Sequence, residues 1–123
     1  MRLSSMADYA LRLLMHVAQH PDRLCTIAEI ARAHGISEAH LMKITHQLGQ
    51  AGFITTLRGK GGGMRLAAPP EEIELGAVVR AMEPDLALVE CFDRPGNRCA
   101  LTGNCRLAGV LDAALAAFLA QLD

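Results

Sequence analysis

Residues 26–52 read TIAEIARAHGISEAHLMKITHQLGQAG, and local signals divide this run into a pair of helices. Thr26 and Glu29 stand three apart, the spacing of a capping box, in which hydroxyl and carboxylate satisfy backbone N–H groups that a helix start leaves free. Gly35 supplies the left-handed residue that stops this helix, Ser37 caps the next one, and Gly52 closes it. Within that frame Ile30, Ala31, Gly35, Ile36, Leu41 and Ile44 fall where a helix-turn-helix needs core, small contact, tight turn, core, core and core. A plain helical hairpin is the alternative, but six positions in register favour a DNA-reading motif.

The segment that follows, FITTLRGKGGGMRLA, places two short β-prone runs at 53–57 and 64–67 around a basic, glycine-rich tip. A hairpin directly after a recognition helix is a wing. Its glycines let backbone approach phosphate while Arg58, Lys60 and Arg65 neutralise it. A phosphate-binding P-loop is excluded, because Lys60 is followed by Gly61 and not by the Ser or Thr that would hold magnesium. Upstream, Met6, Ala10, Leu13, Leu14, Val17 and Ala18 form one helical stripe that ends before Pro21.

The carboxyl half has a different character. Pro69, Pro70 and three glutamates mark a linker, LGAVVRAME makes a short helix ended by Pro84, and a loop rich in Gly, Pro and Asn follows. Asn104 is expected to cap a last helix whose Leu107, Val110, Leu111, Ala114, Leu115, Phe118, Leu119 and Leu122 form a continuous stripe. The other side of this helix carries Ala and Gly with few charges. It therefore reads as a dimerisation helix, packed on a twin as well as on its own chain. No stop signal closes it at Asp123, which leaves room for a longer natural chain.

Composition and charge agree with this division. Hydrophobic residues make up 51% and aromatic ones 3%, so an aliphatic, mostly helical core is expected. Residues 1–66 carry eight Lys/Arg against four acids and all five His, a net charge of +4; residues 67–123 carry four against nine, a net of −5. A basic half joined to an acidic one suits a nucleic-acid reader with a separate control module. No run approaches the roughly 18–20 apolar residues of a membrane span, and no signal-peptide h-region opens the chain. The expectation is a cytoplasmic protein, where clustered thiols serve metal or redox chemistry.

Three of the four cysteines lie in CFDRPGNRCALTGNC, residues 91–105, at intervals of eight and six positions. Zinc knuckles bring two sulfurs to one ion from a tight C-x2-C turn, and no such pair exists here. Wide spacing on an irregular loop suits the separated corners of an iron–sulfur cluster. Cys25, apart from the others, reads as a core residue. The fourth ligand is open: Asp93 in the loop, an external molecule, or a side chain from the amino-terminal half, in this subunit or its partner.

MRLSSMADYALRLL at the start, the wing RGKGGGMRL and ECFDRPGNRCALTGNCRLAGVL together resemble the winged-helix iron–sulfur repressor family that includes NsrR and IscR. The resemblance covers nearly the whole chain. It implies a homodimer in which Cys91, Cys99 and Cys105 hold a cluster whose state controls operator binding. IscR-like members have a shorter first spacing and a His three residues after the third cysteine, where this chain has Ala108; in both respects it is more similar to the nitric oxide-sensing, NsrR-like members. For those members Asp8 of the other subunit is the implied fourth ligand. The plainer reading makes Asp8 part of a Ser5-x-x-Asp8 capping box and the ion-pair partner of Arg12.

The expected fold is thus mainly α with a small β-hairpin wing: a winged helix-turn-helix domain over 1–68, then 69–123 with a linker helix, the cysteine loop and a dimerisation helix over 105–122. Ser37, His40 and Lys43 are expected at base edges of a palindromic operator, with Arg58 and Lys60 at phosphate or the minor groove. The expected cofactor is a 4Fe-4S cluster rather than 2Fe-2S, and the expected signal is nitric oxide. The alternatives are the same fold sensing redox state or cluster supply, and an iron–sulfur or zinc protein with an electron-transfer or enzymatic role. No nucleophile–base constellation favours an enzyme.

Overall fold

A computed structural model describes residues 1–123 as two compact units, Met1–Pro84 and Asp85–Asp123. The first contains helices α1 (Ser5–Ala18), α2 (Ile27–His34), α3 (Glu38–Gln50) and α4 (Leu75–Met82), with strands β1 (Ile54–Leu57) and β2 (Gly63–Leu66) between α3 and α4. The second contains the cysteine loop and α5 (Arg106–Leu122). The chain is mainly helical with one antiparallel hairpin, in the register Ile54↔Leu66 to Leu57↔Gly63.

Local signals build the helix-turn-helix as the sequence predicts. Thr26 accepts from the Glu29 N–H while Glu29 accepts from the Thr26 N–H, closing the capping box. Gly35 ends α2 at φ 65°, and the Ser37 hydroxyl caps α3. Ile30, Leu41 and Ile44 are fully buried and Ile36 nearly so, in one core with Leu13, Val17, Leu48, Ile54 and Met64. Side chains of this size each contribute roughly 1.5–3 kcal/mol on leaving water, so the core and not helix propensity fixes the angle between α2 and α3.

Cys25 belongs to that core and has 0% exposure. Its backbone exchanges two hydrogen bonds with Met64, Cys25 N to Met64 O at 2.9 Å and Met64 N to Cys25 O at 2.8 Å. The loop between α1 and α2 is thereby tied to the outer edge of β2, near the hairpin tip.

Within the first unit α4 places Val78 and Met82 in the same core. Two capping expectations are corrected. Asp8 has no part in a capping box: the cap of α1 is Ser4, whose hydroxyl accepts from the Ala7 N–H, while the Ser4 N–H donates to Glu83 at 2.7 Å. Asn104 does not cap α5 either. Asn104 lies in a turn closed by its N–H to the Leu101 carbonyl, and the helix begins one residue later, with the cap position on Cys105, which makes no side-chain capping bond. On α5, Leu107 and Val110 are 62% and 64% exposed and Phe118 42%, an apolar surface that this chain alone leaves in water.

Candidate DNA interface and cysteine site

The amino-terminal turn of α3 presents Ser37, His40 and Lys43 at the surface. Ser37 accepts from the His40 N–H at 3.1 Å, which leaves its O–H proton free to donate. The His40 ring is half-buried edge-on against Tyr9 of α1, centroids 5.2 Å apart, and Tyr9 in turn lies under the Arg12 guanidinium at 5.5 Å. Met42, Lys43 and His46 are exposed further along the helix. Arg58 and Lys60 stand exposed at the hairpin tip. Between α3 and the hairpin runs a groove of about 1060 Å³, bordered by Met42, His46 and Gln50 on one side and Thr55, Leu57 and Arg58 on the other. Thr45 also lines it, with a buried hydroxyl that has no hydrogen-bond partner.

In the second unit Cys91, Cys99 and Cys105 converge on one cavity of about 310 Å³, walled also by Phe92, Thr102, Gly103 and Ala108. The loop is shaped by its own polar residues. Asn97 accepts from the Cys99 N–H at 2.9 Å and donates to the Thr102 hydroxyl at 2.9 Å, and that hydroxyl donates to the Cys99 carbonyl at 2.8 Å. Glu90 accepts from the Arg98 N–H, closing the loop's other end. All three cysteines are free thiols. Three sulfur donors on one partly apolar cavity fit an iron–sulfur cluster with one iron left for a ligand from elsewhere. Asp93 does not supply it within this unit: its carboxylate lies against Gly96 and is absent from the cavity wall. Ala108 does line the wall and offers no donor.

Asp8 sits on α1 with its carboxylate half-exposed, held by Arg12 through Nε to Oδ1 at 3.0 Å and Nη2 to Oδ2 at 3.2 Å. This pair is the helical ion pair expected of residues four apart. Both side chains are more than 40% exposed, so the bond is weak and easily exchanged.

The first unit also brings together a grouping that sequence separation concealed. His16 of α1, Cys25 of the loop and Glu29 of α2 place one ligand atom each within 4.8 Å of the others. His16 Nε2 lies 3.2 Å from Glu29 Oε2, and His16 Nδ1 lies 3.2 Å from His34 Nε2. Arg23 grips Glu29 with both terminal nitrogens, at 2.8 and 2.9 Å. That grip, with the Thr26 N–H and His16 adding to it, holds the Glu29 carboxyl down to about 2. Burial pushes the Cys25 thiol above its ordinary value, with the Glu29 charge adding to the effect.

The sequence matches the Rrf2 family, described as iron-dependent transcriptional regulators, over residues 3–123. The chain belongs to the Rrf2 family. It is 49% identical over 124 residues to the HTH-type transcriptional regulator NsrR of Shouchella clausii, covering 100% of this chain and 83% of that one. The NsrR regulators of Geobacillus kaustophilus and Bacillus subtilis are 50% and 47% identical, again over the whole of this chain and over 84% and 85% of theirs. Among solved structures, CymR of B. subtilis superposes with a TM-score of 0.79 at 22% identity, covering 100% of this chain and 90% of that one. IscR of T. potens does so at 0.78 and 23%, covering 100% and 80%. Those two likenesses establish the winged-helix Rrf2 fold. The regulator described here is therefore a DNA-binding transcription factor and not an enzyme. None of its helices is long and apolar enough to cross a membrane.

Proposed function

We propose that this Rrf2 regulator is a cytoplasmic, homodimeric repressor that releases a palindromic operator when nitric oxide reaches an iron–sulfur cluster held by Cys91, Cys99 and Cys105. The observation that carries this reading is the convergence of the three thiols on one cavity, in a chain that matches NsrR regulators along its whole length. When bound, the cluster supplies iron, for which nitric oxide is a strong ligand that competes with protein donors. We take the cluster to be 4Fe-4S, with Asp8 of the other subunit on the remaining iron. The loose Asp8–Arg12 pair leaves that carboxylate free to change partners, and it sits on the same helix as Tyr9, against which His40 rests. A shift of α1 would thus reach the start of α3 through side chains already in contact. On DNA, Ser37, His40 and Lys43 face base edges, while Arg58 and Lys60 neutralise phosphate or enter the minor groove. The exposed apolar residues of α5 are the surface through which two copies pair.

The test uses anaerobically purified full-length protein and a labelled operator duplex. Visible absorption should report a cluster that Cys99→Ala abolishes, and titration with nitric oxide, but not with brief oxygen exposure, should release the DNA. Cys99→Ala protein that still binds the operator in a nitric oxide-sensitive way refutes the reading; release by oxygen alone converts it to a redox sensor. Asp8→Ala should alter the cluster's stability or its rate of reaction, and Arg12→Ala should not.

A further inference from the structure

We propose that His16, Cys25 and Glu29 form a second metal site, for a divalent transition ion of the zinc class, at the junction of α1 and α2. It shares no residue with the cysteine loop and does not depend on the presence of a cluster.

The donor set is one imidazole nitrogen, one sulfur and one carboxylate oxygen, a mixture that suits zinc and its neighbours and not magnesium or calcium. Around a tetrahedral ion with bonds of 2.0–2.3 Å, ligand atoms stand about 3.5 Å apart. His16 Nε2 and Glu29 Oε2 are already at 3.2 Å, and no pair in the group exceeds 4.8 Å, so side-chain adjustment of about 1 Å closes the site. A water molecule would complete the fourth position.

Two further observations bear on a cation here. The first is the neighbour of His16. With its proton on Nε2, His16 donates to Glu29 and accepts at Nδ1 from His34, so both 3.2 Å contacts close without an ion. An ion taking Nε2 would move that proton to Nδ1, where His34 Nε2 stands ready to accept it. Metal-bound histidines are oriented through their second nitrogen in this way. The second observation is Arg23, whose guanidinium bonds both oxygens of Glu29 and comes within 4.0 Å of Cys25 Sγ. Arg23 fills with its own positive charge the place an ion would take. Its side chain is 46% exposed, so it can leave for solvent.

Binding therefore exchanges partners in a balanced way. The ion sheds waters, Arg23 moves out, and the Cys25 S–H bond breaks heterolytically, its proton passing to solvent and its electron pair to the metal. Glu29 Oε1 keeps the Thr26 N–H at 2.8 Å, so the capping box survives while Oε2 turns to the ion. The occupied site would join α1, the first helix of the helix-turn-helix and, through the Cys25–Met64 pairing, the tip end of β2.

The experiment uses full-length protein carrying Cys91→Ser, Cys99→Ser and Cys105→Ser, which leaves Cys25 as the one thiol of four. Cobalt(II), added anaerobically, should bind at one equivalent with a thiolate-to-metal charge-transfer band, release a proton, and be displaced by zinc. Glu29→Gln, whose amide preserves the capping box, and His16→Gln should each weaken binding by at least about tenfold. Arg23→Gln removes the competing cation and should tighten it by up to about tenfold. Circular dichroism checks that each variant is folded. No charge-transfer band, or a band indifferent to both Glu29→Gln and His16→Gln, overturns the proposal; so does an Arg23→Gln variant that binds cobalt more weakly. Failure here leaves the cluster reading untouched, since its thiols are absent from the protein tested.

Discussion

Replacing Gly62 by alanine tests whether the hairpin tip is built to hold Arg58 and Lys60 in one place. A Cβ at this position collides with the Leu57 carbonyl oxygen and comes within 2.9 Å of the Gly59 carbonyl oxygen, both backbone atoms that no rotamer change can move. Restoring ordinary contact requires the tip to open by roughly 1 Å. That movement breaks the Gly62 N–H to Gly59 carbonyl bond, now 3.0 Å, for about 1 kcal/mol, and adds roughly 1–3 kcal/mol of overpacking strain. The expected loss is about 2–4 kcal/mol, or a fall in Tm on the order of 10 °C for a unit of this size, less if the tip opens locally. Gly61→Ala is the control: at φ 78° it incurs a left-handed penalty of about 1–2 kcal/mol, but nothing lies within 4 Å of its added methyl. Thermal denaturation compares stability, and operator affinity against salt counts phosphate contacts, each worth about 0.9 in the log–log slope. Gly62→Ala should melt below Gly61→Ala and lose up to about two contacts, those of Arg58 and Lys60. Equal melting and an unchanged slope would refute both the rigid tip and its role on DNA.

Three other substitutions or conditions give separate readings. Ser37→Ala should cost about 1 kcal/mol in urea denaturation by freeing the His40 N–H, and weaken operator binding beyond that loss of stability; Ser37→Asp should restore the cap but not the affinity. Lys60→Ala should lower affinity uniformly across operator sequences and reduce the salt slope by about 1, as measured by fluorescence anisotropy. In metal-free protein Glu29 titrates near 2 when folded and at about 4.3 when unfolded, so its stabilisation is full above about pH 5 and is lost as pH falls through that interval. Because Arg23 is half in solvent the effect should be about 1 kcal/mol, and Glu29→Gln should flatten that part of the acid denaturation curve.

The helix-turn-helix was legible because its determinants are local. Thr26, Glu29, Gly35 and Ser37 act on backbone within three or four residues, and spacing alone identifies them. Asn104 shows where such logic fails, since α5 begins one residue later than its capping propensity suggests, with Cys105 at the cap position. The convergence of Cys91, Cys99 and Cys105 was legible in kind, but the turn that sets it depends on Asn97 and Thr102, ordinary loop residues in sequence. The packing of α4 was not legible, because the proline pair at 69–70 looks like a linker while Val78 and Met82 beyond it join the core. In sequence Cys25 reads as a core thiol and Glu29 as a capping acid, and nothing there joins either to His16. Their common geometry is set by the packing of α1 on α2, which no local pattern encodes.

The paired hydrogen bonds between Cys25 and Met64 also bear on how such regulators can diverge. With the outer edge of β2 pinned at Met64, one pair below the tip, residues between Leu57 and Gly63 can be added or removed without disturbing the four-pair ladder below them. The reach of the basic tip along a duplex can thus be retuned by length alone. A single insertion at 19–24 is a different matter, for it would rotate the segment by one residue and put a neighbour's side chain where Cys25 now lies. Variation should therefore accumulate at the tip and be scarce at the short loop that braces it.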